Sequence, residues 1–138
     1  MSDSLRKEAA AFAREYATAH LATVDGNAPV VRVMHAFRVD DDLTVWFACG
    51  TSSNKVRQIR ANPNASASFW ESGQDLVISG TAEVMDDADT KTAMWQADWT
   101  RFFPDGPADP EYCILKITAT AALYRDLERH GFEAQSLL

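Results

Sequence analysis

At 138 residues the chain has the size of a single domain, and no stretch of it reads as a second core or a long linker. Its 13 Lys and Arg stand against 20 Asp and Glu, a net charge of -7 without the basic field that phosphate-backbone binding needs, so no nucleic-acid partner is expected. The mixed-charge start MSDSLRKEAAAFAREY has no apolar leader core, and no window approaches the roughly 18 apolar residues of a spanning helix. A soluble, cytoplasmic protein with no membrane partner is the expectation.

From Ser2 to about Thr18, Leu5, Ala9, Phe12 and Tyr16 recur at helical spacing behind Ser2, Asp3 and Ser4 as capping residues, which predicts an amphipathic first helix. His20 to Val24 and Val30 to Val39 read as two antiparallel strands around the turn Asp25-Gly26-Asn27. After Asp40-Asp41-Asp42, the run Leu43 to Ala48 is a third strand, rich in β-branched and aromatic side chains. Gly50 to Ser53 then forms a loop feeding a short helix over Lys55 to Ala61, which Asn62-Pro63 ends because proline disfavours α geometry before it.

Ala65 to Trp70 and Leu76 to Met85 are two further strands joined around Glu71-Ser72-Gly73. Asp86, Asp87 and Asp89 place carboxylates at the start of a second helix carrying Met94, Trp95 and Trp99. Pro104 to Pro110 is a loop, Tyr112 to Leu123 is a last long β-prone run, and Tyr124 to Leu138 carries mixed signals that decide nothing. The pattern predicts a mainly β (α+β) domain: six antiparallel strands with short flanking helices, as a small barrel or sandwich.

The chemistry-bearing stretch is CGTSSNKVRQIRANP, Cys49 to Pro63, which puts hydroxyls, backbone amides and Lys55 at a helix start. The first N–H groups of a helix and its dipole together favour an anion, and Lys55 would add a full charge. The same residues also fit an ordinary N-cap at Ser53 and a solvated lysine. The loop lacks the spacing of a Walker motif. Arg32 alternates with Val31 and Val33 in a strand; it either shares a phosphate with Lys55 or takes the solvent side. Cys49 and Cys113, too far apart in sequence for a metal-ligand spacing or a disulfide framework, are expected reduced and buried. His20, His35 and His130 form no i, i+4 pair, so no metal is expected. No nucleophile-elbow sequence orders a triad.

Taken in order, these segments resemble the pyridoxamine phosphate oxidase-like FMN-binding split barrels, and within them the short general-stress type. The resemblance runs from about Ala19 to Tyr124. It rests on His20-Leu21-Ala22-Thr23 with Pro29 and Val31-Arg32-Val33-Met34, on Trp46-Phe47-Ala48-Cys49, on Ser53-Asn54-Lys55 with Gln58-Ile59 and Asn62-Pro63, and on Gly80-Thr81-Ala82-Glu83-Val84 with Asp86.

The resemblance implies a six-stranded antiparallel split β-barrel that binds FMN. Arg32, Ser53 and Lys55 would hold the phosphate, and Asn54 stands where the family often has arginine. The backbone around Val33, Met34, Ala48 and Cys49 would line the ring and ribityl chain. His35 either meets the flavin or is structural, and Trp95 and Trp99 either fill the core or an interface or stack on a partner's flavin. A homodimer with the cofactor site between subunits is implied.

Pyridoxamine phosphate oxidation itself is not expected. The position of that enzyme's strand lysine falls on Phe37, and the ending RDLERHGFEAQSLL aligns with no substrate-gripping segment. Two functions stay open: an oxidoreductase passing electrons from a reduced nicotinamide to a small acceptor, and a non-catalytic flavin-binding stress or redox-sensor protein. Deazaflavin or haem in place of FMN is a further alternative within the fold.

Overall fold

The structure, a computed structural model, describes residues 2–138. Helix α1 (Ser2–Glu15) presents the expected stripe: Ala9, Ala10, Phe12 and Ala13 are buried, the small alanines letting the helix lie close on the sheet. Asp3 and Ser4 fall inside its first turn rather than at the cap, and the Ser2 side chain lies outside the described residues. The helix stops short of Thr18 because that residue opens strand β1 (Thr18–Asp25), which pairs from Thr18↔His35 to Asp25↔Ala28 with β2 (Ala28–His35). Gly26, at φ 62, supplies the left-handed residue of the hairpin turn.

The expected strand Val30 to Val39 is two: β2 ends at His35, and Arg38–Val39 forms a separate short β3. Strand β4 (Val45–Gly50) begins later than expected because Leu43 sits at φ 70, a left-handed conformation that cannot continue a strand. That conformation costs about 1–2 kcal/mol, whereas full burial of a leucine returns about 1.5–3 kcal/mol, and Leu43 is fully buried. Its N–H also bonds Asp40 O at 2.8 Å. Helix α2 (Asn54–Ala61) follows, turning Val56, Gln58 and Ile59 inward.

Strands β5 (Asn64–Glu71) and β6 (Gln74–Met85) make the second hairpin, with Gly73 at φ 82 in its turn. Helix α3 (Ala88–Met94) is capped by Asp87, whose carboxylate accepts from Thr90 N. A 3-10 turn at Ala97–Arg101, another at Gly106–Ala108, strand β7 (Tyr112–Asp126), helix α4 (Leu127–His130) and strand β8 (Gln135–Ser136) complete the chain. The undecided C-terminal stretch thus extends β7 and then supplies a turn of helix and a short strand.

Among the described residues these strands form one antiparallel sheet in the order β2-β1-β5-β6-β7-β4-β3, with β8 paired to β7; the path does not close. The six expected strands are its long members, and the two-residue β3 and β8 bring the count to eight. One face buries Leu21, Phe47, Phe69, Leu76, Ile78, Leu115 and Ile117 beneath α1 and α2. A second, smaller aromatic cluster of Trp46, Phe103, Tyr112 and Ile114 lies on the other side of β4 and β7, and the candidate site is built against it.

Candidate functional site

The alternation of β2 decides which way Arg32 points. Val31 and Val33 are 61% and 62% exposed, so Arg32, between them, turns toward the core side and is half-buried. Its Nη1 donates to Leu21 O at 3.2 Å and Thr23 Oγ1 at 2.8 Å, and its Nη2 donates to Gln58 Oε1 at 2.9 Å. Thr23 Oγ1 closes the network by donating to Gln58 Oε1 at 2.5 Å. The apolar pair therefore faces out and the arginine in, so of the two placements left open for Arg32 the solvent side is not the one adopted. All three acceptors are neutral; burial lowers the guanidinium from its ordinary value, but an arginine so placed keeps its charge. Through Gln58 this uncompensated charge is tied to α2, one turn beyond the helix start.

At that start Ser53 stands in the N-cap position with extended backbone, φ -71 and ψ 154, but its side chain caps nothing. The Ser53 Oγ is buried and has no hydrogen-bond partner among the described residues. An ordinary N-cap serine would bond an N–H of the first turn, so that reading of Ser53 does not hold. Asn54 is exposed. The preceding loop is clamped by Glu111, whose Oε1 accepts from Ser52 N and Ser52 Oγ, each at 2.7 Å; these bonds hold its carboxyl below the usual range.

Lys55, on the first turn of α2, borders a cavity of about 620 Å³. Val33, Met34, His35, Ala48, Cys49 and Gly50 line one side of it, and Phe37, Gln96, Asp98, Trp99, Arg101, Phe102 and Phe103 the other. The structure thus brings together Val33, Met34, His35, Ala48, Cys49 and Lys55 of the expected site, and places Arg32, Ser53 and Asn54 outside the cavity wall, around the start of α2.

The second wall was not legible as such. Trp95 and Trp99 do not share a helical face, because α3 stops at Met94. Trp95 instead packs against Tyr112 at 5.1 Å between ring centroids and Trp99 at 5.9 Å, while Phe37 meets Trp99 edge-on at 4.9 Å. Burying several rings against one another outweighs two more residues of helix. The segment is anchored from below, where Tyr112 Oη donates to Lys91 O at 2.9 Å and the buried Lys91 Nζ donates to Asp109 O at 3.0 Å. The only sequence signal of this wall is its aromatic density, Trp95, Trp99, Phe102 and Phe103. Arg101, stacked 4.7 Å over the Phe102 ring, sets a cation in this wall beside the carboxylate of Asp98.

Cys49 and Cys113 lie opposite one another across β4 and β7, with their sulfurs 3.7 Å apart. Both are buried free thiols, as expected. The hydrogen bond between the two sulfurs, with Lys55, holds Cys49 below its ordinary value; the same bond and burial push Cys113 up. Among the described residues no group of three or more His, Cys, Asp or Glu is placed to hold a metal. No helix of the described chain is long and apolar enough to cross a membrane.

The fold and this half-open site together define a split barrel with a cavity between its strands and a 3-10 segment. The family described as "Pyridoxamine 5'-phosphate oxidase like" matches residues 6–135, and the chain belongs to it. Among solved structures, the chain is similar to a protein of Clostridium acetobutylicum related to general stress protein 26, with 21% identity over 99% of this chain and 95% of that one and a TM-score of 0.82. General stress protein 26 of Bacillus anthracis gives 24% identity, 88% and 93% coverage and a TM-score of 0.75. A pyridoxamine 5'-phosphate oxidase-related, FMN-binding protein of Nostoc punctiforme gives 19%, 94% and 82%, and 0.68. No curated protein matches the sequence.

Proposed function

We propose that the chain binds FMN, its phosphate at the start of α2 and its ring in the cavity, and works as a homodimeric oxidoreductase passing electrons from a reduced nicotinamide to a small acceptor. The observation that carries the reading is the buried, unpartnered Ser53 hydroxyl at a helix start. It stands at the start of α2, the helix that carries Lys55 and whose Gln58 accepts from Arg32, a guanidinium whose bonded acceptors are all neutral. A dianionic phosphate at the start of α2 would give these groups a common partner, by charge-assisted hydrogen bonds and by the unpaired N–H groups of the first turn. These residues fit the group. Asn54 supplies no charge, which leaves the grip to Arg32 and Lys55. The family and the FMN-binding relative of Nostoc punctiforme support the same cofactor.

When bound, FMN supplies hydride acceptance and onward electron transfer, so the protein's own work is binding and orientation. Trp99, Phe102 and Phe103 give the cavity an apolar wall, and the β2 and β4 backbones near Met34 and Ala48 would offer polar groups to the ring edge. The exposed Val31 and Val33 on the edge strand β2 offer a surface for a second copy, which would complete the half-open cavity. The buried free thiols accord with a cytoplasmic setting.

The test is a flavin titration of the purified protein beside a sizing measurement, followed by addition of reduced nicotinamide. Saturable FMN binding by a dimer, with rapid bleaching of the bound flavin, is the expected result. Binding with sluggish bleaching would replace catalysis by a flavin carrier or sensor. No FMN binding, or a deazaflavin or haem spectrum, would overturn the cofactor.

A further inference from the structure

Cys49 and Cys113 have no part in holding a phosphate, yet they are placed like a working pair. They are register partners across β4 and β7, and directly opposed residues of an antiparallel ladder have Cα atoms about 4.5–5.5 Å apart, inside the span of about 4.4–6.8 Å that a disulfide bridges. Their sulfurs already stand 3.7 Å apart, so closure asks for side-chain movement and no rearrangement of the sheet.

The two thiols also differ in access. Cys49 borders the cavity and retains 6% exposure, whereas Cys113 has none and lies behind it. The hydrogen bond with Cys113 and the charge of Lys55, which borders the same cavity, favour the Cys49 thiolate against burial and, more weakly, against Glu111. A thiol bordering a cavity, with a second thiol close behind it, is the arrangement of attacking and resolving cysteines.

We propose that Cys49 and Cys113 form a two-electron dithiol site, at which a hydroperoxide entering the cavity oxidises Cys49 and Cys113 resolves the product to an intrachain disulfide. The Cys49 thiolate attacks the terminal peroxide oxygen. A sulfur–oxygen bond forms, the oxygen–oxygen bond breaks, and the leaving alkoxide takes up a proton to depart as an alcohol, or as water from hydrogen peroxide. The Cys113 sulfur then attacks the Cys49 sulfenic acid: the sulfur–sulfur bond forms, the sulfur–oxygen bond breaks, and the oxygen leaves as water with the Cys113 proton. The protein loses two electrons and two thiol hydrogens, and the peroxide is reduced. A small-molecule dithiol returns the pair to the starting state by exchange.

The experiment treats the purified protein with about one equivalent of hydrogen peroxide and reads intact mass and free thiols, before and after dithiothreitol. Loss of two hydrogens and of both thiols, without added oxygen and fully reversed by dithiothreitol, is the expected result. In Cys113→Ser, Cys49 should stop at a sulfenic acid captured by a 1,3-diketone probe. In Cys49→Ser, oxidation of Cys113 should slow at least tenfold. Persistence of both thiols in the wild-type protein through excess peroxide would overturn the proposal, as would accumulation of oxygenated Cys49 without a disulfide, or equally fast oxidation of Cys113 in Cys49→Ser. The wild-type mass readout needs no variant to fold. It also reports the protein's own sulfurs, and it is run on flavin-free protein, so that no ring in the cavity covers Cys49 and the outcome is read apart from flavin binding.

Discussion

Ser53, Arg32 and Lys55 test different things, because the structure employs them differently. The Ser53 hydroxyl has no partner among the described residues, so Ser53→Ala should leave the thermal midpoint of the flavin-free protein unchanged or slightly raised. A true N-cap serine would cost about 0.5–2 kcal/mol. FMN affinity should nevertheless fall by about 1.5–3 kcal/mol, the range for a hydrogen bond to a charged group. Lys55→Ala should weaken FMN by a similar amount, and so should Arg32→Ala, which in addition strips donors from Thr23 and Gln58. Isothermal titration of each variant, with a melting curve beside it, checks both halves; unchanged affinity in all three folded variants would remove the site. The sequence marked these residues by type, but alternation along β2 says only that Arg32 and its valines face opposite ways. Which way is inward depends on the partner elements: Gln58, on a helix 26 residues away, turns the arginine in.

At the scale of elements, the pairing of β6 with β7 is where one substitution should do most damage. The register shifts between Ser79 and Gly80, and a Cβ on Gly80 would stand 1.9 Å from Thr118 O, a backbone atom that cannot swing aside. Gly80→Ala should therefore destabilise the protein by about 1–3 kcal/mol or more, read as a fall in the denaturant midpoint. Gly73→Ala, with open space around its Cβ, should pay only for its left-handed φ. The boundaries that differ from the sequence reading share one cause. Helical spacing from Met94 through Trp99 was overruled by the packing of Trp95 on Tyr112, and the strand expected from Leu43 was delayed by a buried left-handed leucine. Local propensity is worth tenths of a kcal/mol per residue, and the burial of a large side chain is worth more.

For the molecule as a whole, two buried tyrosines tie stability to alkaline pH. Burial pushes Tyr112 and Tyr124 up to about 12, Glu8 adding to the effect at Tyr124. Above about pH 10 the unfolded chain loses these phenolic protons while the folded one keeps them. The unfolded state then binds fewer protons, and stability falls as pH rises from about 10 toward about 12. Thermal midpoints measured across that window should decline in the wild-type protein and decline less in Tyr112→Phe and Tyr124→Phe; equal slopes in all three would count against the burial account.

What the sequence determined by itself is the set of local preferences: an alanine-lined first helix, two glycine-turned hairpins, long β-branched strands, and a hydroxyl-rich loop before a lysine-bearing helix. These follow from side-chain shape and periodicity, which act within a few residues. The tertiary structure decided the rest. It set Arg32 inward, left the Ser53 hydroxyl without a partner, brought Cys49 against Cys113 across 64 residues of chain, and folded the Trp99 to Phe103 segment over the cavity. Those outcomes depend on which surfaces meet when the sheet packs, a competition between burial and hydrogen bonding among residues far apart in the chain that no local pattern encodes.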